Sequence, residues 1–237
     1  MSGLVWDEQS SHSRKQHTSF LNLLNLQDKK RFKQAWKSLC TEYSENHCNQ
    51  VFDELAALYN SPDRYYHTDS HIHHCLNELD SAVMTASNPT HIEMAIWCHD
   101  VVYTPGDPDN EIKSAAWFKS HANAHISPSD IQIVFNLITI TEHRDSPVTH
   151  DEKLMVDIDL SSLGLPKEKF KTDGERVRQE FPEMSDREFI EGQKKFLESL
   201  IQRPSLYCTG YFQKQYELTA QKNITQLLKQ YETILNQ

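Results

Sequence analysis

Apolar residues in this chain recur at steps of three and four, and no stretch shows the apolar–polar alternation of a half-buried strand. Phe32, Ala35, Trp36, Leu39, Cys40 and Tyr43 follow the helical period, as do Val51, Phe52, Leu55, Ala56, Leu58 and Tyr59. Ile72, Cys75, Leu76 and Leu79 mark a third helix, and Ile92, Ala95 and Ile96 a fourth that is expected to run to near Tyr103. The period returns in Ile112, Ala115, Ala116 and Phe118, in Ile131, Val134, Phe135 and Ile138, and around Leu154, Met155, Ile158 and Leu160. Phe189, Phe196, Leu197, Leu200 and Ile201 line a later helix, and Phe212, Tyr216, Ala220, Ile224, Leu227, Tyr231 and Leu235 a long final one. Six glycines and nine prolines are few for 237 residues, so long helices with sparse turns follow. The chain is expected to be all-α: a polar N-terminal arm over residues 1–26, then a single helical domain over residues 27–237.

Local signals set the expected helix starts. Ser61-Pro62-Asp63 breaks the second helix, and Asn88-Pro89-Thr90 and Ser127-Pro128-Ser129-Asp130 each begin one. Asp107 is the expected N-cap of another, with Pro108 at its first position, which puts Glu111 in the first turn. Ser185-Asp186-Arg187-Glu188 is a capping box, and Gly164 a helix stop.

The net charge of −10 argues against a nucleic-acid polymer as partner, because such partners reward basic surfaces. A small phosphorylated substrate stays compatible with that charge, since a bound metal supplies positive charge locally. Five cysteines at wide spacings, with no C-x-x-C, fit neither a disulfide framework nor a Cys-rich zinc site. Residues 1–16 are polar without an apolar core, and no stretch approaches a membrane span. A cytoplasmic protein with no membrane partner is the expectation.

Two features admit a chemical reading beside the structural one. His99-Asp100 closes the apolar Ile92 segment, setting a neutral nitrogen donor beside a hard anionic oxygen, a pairing that suits a divalent cation. The same pair also reads as a capped helix end with a satisfied core histidine. Asp157 and Asp159 sit inside the apolar run Leu154–Leu163, where acids are uncommon unless paired or bound to metal. His67 and His71 are four apart and share a face if both are helical. His12 and His17 read as solvated, His73 and His74 as surface or packing residues, and His121 and His125 as exposed helix histidines.

The order of His71, then His99-Asp100, then Asp159 resembles the HD-domain superfamily of metal-dependent phosphohydrolases, and more closely a bacterial group of predicted members. The stretches that carry it are Arg64-Tyr-Tyr-His-Thr-Asp-Ser-His-Ile, Cys98-His-Asp-Val-Val-Tyr, Asp109-Asn-Glu-Ile-Lys-Ser-Ala and Asp157-Ile-Asp-Leu-Ser-Ser-Leu-Gly, with a weaker continuation through Val177-Arg-Gln-Glu-Phe. The resemblance implies an HD-domain-like helical bundle, its metal core over about residues 60–165 and a helical extension over 166–237. It implies a divalent cation (Mn, Mg, Co, Ni, Zn or Fe) held by His71, His99, Asp100 and Asp159. Asp159 is preferred to Asp157 because Ile158-Asp159-Leu160 better matches the superfamily's last ligand, which leaves Asp157 to orient a histidine ligand. Tyr66-His67 with His71 four residues on is similar to an element of cyclic-nucleotide phosphodiesterases, although Thr68 replaces their Asn; by position, His67 becomes a general acid.

Some HD proteins add two histidines and a second metal. His143 sits where one falls, whereas Asn110-Glu111 stand where the other is expected, so Glu111 becomes a second-metal ligand or a base. Asp157 is a further candidate beside a second metal. The implied activity is hydrolysis of a small phosphoester or nucleotide by metal-activated water. Lys113, Arg144 and Arg64 are candidates to neutralise phosphate oxygens, with a solvated surface role as the default for each. A di-iron oxygenase using His121 and His143, or a non-catalytic metal-stabilised ligand-binding module, are the other readings. The aromatic-rich C-terminal helices leave room for a homodimer.

Overall fold

A computed structural model describes residues 24–236 of the chain. Among them are ten α-helices and no strand, only an isolated bridge between Cys40 and Ile126. The helices are α1 (Leu26–Leu39), α2 (Glu45–Tyr59), α3 (Asp69–Ala82), α4 (Pro89–Cys98), α5 (Asn110–Ala122), α6 (Pro128–Thr139), α7 (His150–Leu160), α8 (Lys167–Gln179), α9 (Asp186–Ile201) and α10 (Gly210–Leu235). The all-α expectation holds. The expected arm lies outside the described residues up to residue 23, and its last part is already structured. Asn25 caps α1 by accepting from the amides of Gln27 and Asp28, while Asp28 reaches back to the Asn25 amide. No described helix is long and apolar enough to cross a membrane.

α4 is the centre of the molecule. Ile92, Met94, Ala95, Ile96, Trp97 and Cys98 are all fully buried, so the helix is covered on every side rather than along the one face its spacing suggested. It packs against α1, α3, α5, α6 and α7. Burial of each larger side chain contributes about 1.5–3 kcal/mol. One hydrophobic cluster runs on from Phe32 in α1 to Ile224 in α10.

Two expected boundaries move. α4 stops at Cys98 instead of running to Tyr103. Beyond it, side chains take over the backbone groups that a helical ladder would use. Arg64 donates to the Asp100 carbonyl at 2.6 Å and the Val101 carbonyl at 2.9 Å, and the Ser114 hydroxyl bonds both the amide and the carbonyl of Val102. Asp107 does not cap α5. It accepts from the Asp109 amide and the Lys113 ammonium, and the helix begins at Asn110 with Glu111 in its first turn as expected.

α10 lies across a 3-10 turn over Ser161–Gly164. Asn223 donates to the Leu163 and Leu165 carbonyls, each at 2.9 Å, and the Tyr216 hydroxyl to Glu78 of α3 at 2.8 Å. Gly164 permits this approach: a Cβ there would lie 2.5 Å from the Tyr216 Cβ. Gly164→Ala is therefore expected to lower stability by about 2 kcal/mol, a fall of roughly 4–8 °C in Tm read by thermal denaturation.

Candidate metal centre

Three helix ends meet beside the buried helix. His71 lies in the first turn of α3, just after Thr68 caps the helix through the Ser70 amide. His99 is the C-cap of α4, with its amide bonded to the Ala95 carbonyl. A helix C-terminus leaves carbonyls without intrahelical partners. His99 Nδ1 answers one of them, the Ile96 carbonyl, at 2.9 Å. Only a protonated nitrogen can do so, so in neutral His99 the Nε2 carries a bare lone pair. Asp159 belongs to the last turn of α7, a helix opened by a Thr149–Glu152 capping box.

The donor atoms converge. His71 Nε2 lies 3.1 Å from His99 Nε2 and 3.1 Å from Asp159 Oδ1. His99 Nε2 lies 3.2 Å from Asp100 Oδ2 and 3.5 Å from Asp159 Oδ1, and His71 Nε2 lies 3.7 Å from Asp100 Oδ2. Ligands held at about 2.1 Å around one ion are separated by about 3.0–3.4 Å, so the spacing suits a shared cation. A lone pair facing another imidazole nitrogen and two carboxylates is repulsive until a cation or a proton sits among them. Without a metal the proton serves. Burial lowers the His99 pKa, but Asp100 and Asp159 outweigh it and leave it well above the ordinary histidine value. For both carboxylates burial works against ionisation, and the surrounding imidazoles reverse it and hold them well below the usual range.

Cys75, one turn after His71, backs the site with its Sγ 3.7 Å from His71 Nε2. His71, Cys75, His99 and Asp159 place their donor atoms within 4.8 Å of one another and can hold a metal ion. Periodicity marks Cys75 only as an apolar helix position, so this residue was not legible as a donor. Asp100 is the better fourth partner, since its carboxylate is anionic and lies closer, whereas burial drives the Cys75 thiol pKa well above its ordinary value.

The other expected residues divide. His67 lies before the α3 cap, outside the helix, so it does not share a helical face with His71. It does reach the same cleft, with its ring stacked on Tyr103 at 4.2 Å. Glu111 also lines the cleft; burial, with Asp100 and Asp159 adding to it, raises its carboxyl to about 7. His143 Nε2 bonds Asp159 Oδ2 at 2.8 Å, and its buried Nδ1 has no partner. Its backbone sits in the left-handed region at φ 57°, a conformation that a non-glycine residue keeps only where surrounding structure enforces it.

Asp157 does not orient a histidine. Residues two apart on a helix point about 200° apart, so Asp157 faces away from Asp159. It accepts from the Cys208 amide, the Thr209 amide and the Thr209 hydroxyl at 2.6–2.7 Å, and so pins the start of α10. His121 is not brought to the cleft; it bonds the Trp117 carbonyl and Glu54, and His125 stacks on His47. The ligand pair His121 and His143 of the oxygenase reading is not assembled. Lys113 is tied to Asp107, and Arg144 to the Pro108 carbonyl and Glu142. Arg64 is no solvated cation: besides its two bonds behind Asp100 it donates to the His67 carbonyl and lies over the Tyr59 and Tyr103 rings.

Glu180 is a residue beside the site to which the sequence reading gave no role. It closes α8 and is almost wholly buried. Oε1 accepts from the amides of Tyr65, Tyr66 and His67, and Oε2 from His67 Nδ1 at 2.6 Å and the Tyr103 hydroxyl at 3.0 Å. Besides its place in the Val177-Arg-Gln-Glu-Phe stretch, the sequence signal was an acid at a helix C-terminus, where it opposes the helix dipole.

Comparisons with family models, curated proteins and solved structures returned no match. The functional reading rests on the chemistry of the site itself.

Burial opposes ionisation of Glu180, but the bond and charge of His67 and the surrounding amides hold its carboxyl down at about 2. The stability this provides is present above the ordinary glutamate value of 4.5 and is lost as pH falls toward 2. Burial lowers the His67 pKa, while Asp100 and Glu180 outweigh it and raise it, so the share due to protonated His67 is full below 6.5 and is lost as pH rises through the raised value. Urea melts of Glu180→Gln against the native chain are expected to show a gap of about 3 kcal/mol near pH 5.5. The gap should shrink toward pH 3 and again in alkaline buffer.

Proposed function

We propose that this protein is a metal-dependent phosphohydrolase of the HD-superfamily type, acting on a small phosphorylated substrate. The observation that carries the reading is the convergence of His71, His99, Asp100 and Asp159 at a cleft of about 340 Å³. The order of these residues along the chain supports the same reading, through the resemblance described above.

A divalent cation in such a site activates water and polarises a phosphoryl oxygen. The chain's own residues supply the rest. Arg64 holds the Asp100 and Val101 carbonyls, so the carboxylate beside His99 keeps its position. His143 bonds the second oxygen of Asp159 and leaves Oδ1 to face the two imidazoles. His67 commits Nδ1 to Glu180, leaving Nε2 to carry a proton toward a leaving oxygen in the cleft. Glu111, poised near neutrality, is the group suited to accept a proton from the attacking water. His67 and Glu111 thus divide acid and base duty.

Elemental analysis of the purified protein followed by a phosphate-release screen with Mn²⁺, Co²⁺, Ni²⁺ and Mg²⁺ tests the proposal. The expected result is bound non-iron metal and phosphate release, with Asp100→Ala losing both, turnover by about a hundredfold or more. His67→Gln is expected to keep its metal and lose about 10²–10³ in kcat, the share of a general acid. A protein that retains no metal and releases no phosphate with any added cation would sink the proposal. Stoichiometric iron with oxygen consumption would point instead to oxygenase chemistry.

A further inference from the structure

The cleft has two unlike ends. At its floor stand His99, Asp100, Glu111 and Asp159. Above them the walls are apolar, with Phe170 and Val177 from α8, Phe189 and Leu197 from α9, and Leu227 and Tyr231 from α10. Among the described residues no lysine or arginine lines the cleft; its other titratable side chains include the carboxylates Glu142 and Asp173 and the imidazoles His67 and His143. A second phosphate or a triphosphate tail would therefore meet carboxylates and aromatic rings, with only the imidazoles as counter-charge, and of these His67 is already bonded to Glu180 and His143 to Asp159.

A second cavity of about 120 Å³ shares Phe170, Gly174, Phe189, Leu227 and Tyr231 with the first. The apolar linings of the two cavities therefore meet at these residues, while Lys167, Lys171 and Arg178 stand around the second cavity. Gly174 stands at the junction. It occupies a helix interior, where glycine is unfavourable, and a Cβ built there meets nothing within 4 Å. Neither tight packing nor a positive φ calls for a glycine there. The residue is exposed and lines both cavities, so a side chain added there would stand in the space between them.

Resting on the phosphohydrolase reading above, we infer that the substrate is an amphiphilic phosphomonoester: one phosphoryl group at the His71–His99–Asp100–Asp159 end and an uncharged alkyl chain running past Gly174 into the second cavity. The hydrolysed bond is the ester P–O bond. Water adds to phosphorus, the alcohol leaves carrying the proton, and inorganic phosphate is the other product. Apolar pockets with a few convergent polar groups bind such ligands by burying the chain while the polar end fixes orientation.

The test is calorimetric titration of the Mn²⁺-charged protein with octylphosphonate, methylphosphonate and adenosine 5′-monophosphate, alongside phosphate release from octyl phosphate and from the nucleotide. Octylphosphonate is expected to bind at least about thirtyfold tighter than methylphosphonate, with the nucleotide no tighter than methylphosphonate. Gly174→Leu should cut the octyl preference below about threefold while Tm holds or rises, since leucine favours the helix and meets no neighbour at its Cβ. Nucleotide binding as tight as that of octylphosphonate, or an octyl preference untouched by Gly174→Leu, would overturn the inference. Preferential phosphate release from the nucleotide would overturn it too, with the hydrolase reading left standing. The octyl preference without phosphate release from octyl phosphate would keep the apolar chamber and remove the hydrolase reading instead.

Discussion

Two carboxylates, Asp100 and Asp159, share a buried site with two imidazoles, and the rest of the structure depends on how that charge is met. An uncompensated carboxylate away from water costs several kcal/mol, more than a marginally stable domain can spare. The tautomer of His99, set by the Ile96 carbonyl, turns a lone pair toward the acids instead of a proton. The arrangement therefore calls for positive charge among these atoms. Either His99 takes a proton, as its raised pKa shows, or a metal ion takes its place.

Keeping such a site assembled requires the chain after α4 to stay put without a helical ladder. Arg64 provides this from the segment before α3, taking two carbonyls behind Asp100 and one at His67 with a single planar fork. Glu180 provides it from the end of α8, gathering three successive amides around His67 along with its ring nitrogen. The two meet at His67, where Arg64 bonds the carbonyl and Glu180 the amide and the ring nitrogen. The helices after residue 166 are therefore part of the site. They supply Glu180 and the apolar wall of the cleft, where the sequence reading made them a structural extension.

The helices were legible because each rests on local pattern, whereas the four converging side chains were singled out by the resemblance of their order along the chain to a known superfamily. Apolar spacing marks α4, and an acid in an apolar run marks Asp159. What was not legible depends on distant chain. The end of α4 at Cys98 is decided by Arg64 and Ser114, which periodicity cannot see. Asp157 looked like a partner of the site because it neighbours Asp159 in sequence, but the helix turns it toward the amides of Cys208 and Thr209. Glu180 lies 113 residues from His67, and its partners are mostly backbone amides, which every residue carries. Cys75 was hidden because a buried cysteine and a metal-facing cysteine follow the same helical spacing.

In the proposed reaction the charge pattern of the cleft also separates the acid, His67, from the base, Glu111, without a lysine or arginine. His67 is held against an ionised Glu180, which favours its protonated form and fixes which nitrogen faces the cleft. Glu111 faces the site with no such basic partner among the described residues; burial and the carboxylates of Asp100 and Asp159 favour its neutral form. One group is thereby made a better proton carrier and the other is brought near the point where it can take a proton up. The same carboxylates that do this would repel a second phosphate. A site that tunes its acid and base through negative charge therefore has to limit the charge of what it binds, and the apolar walls above it are the matching half of that constraint.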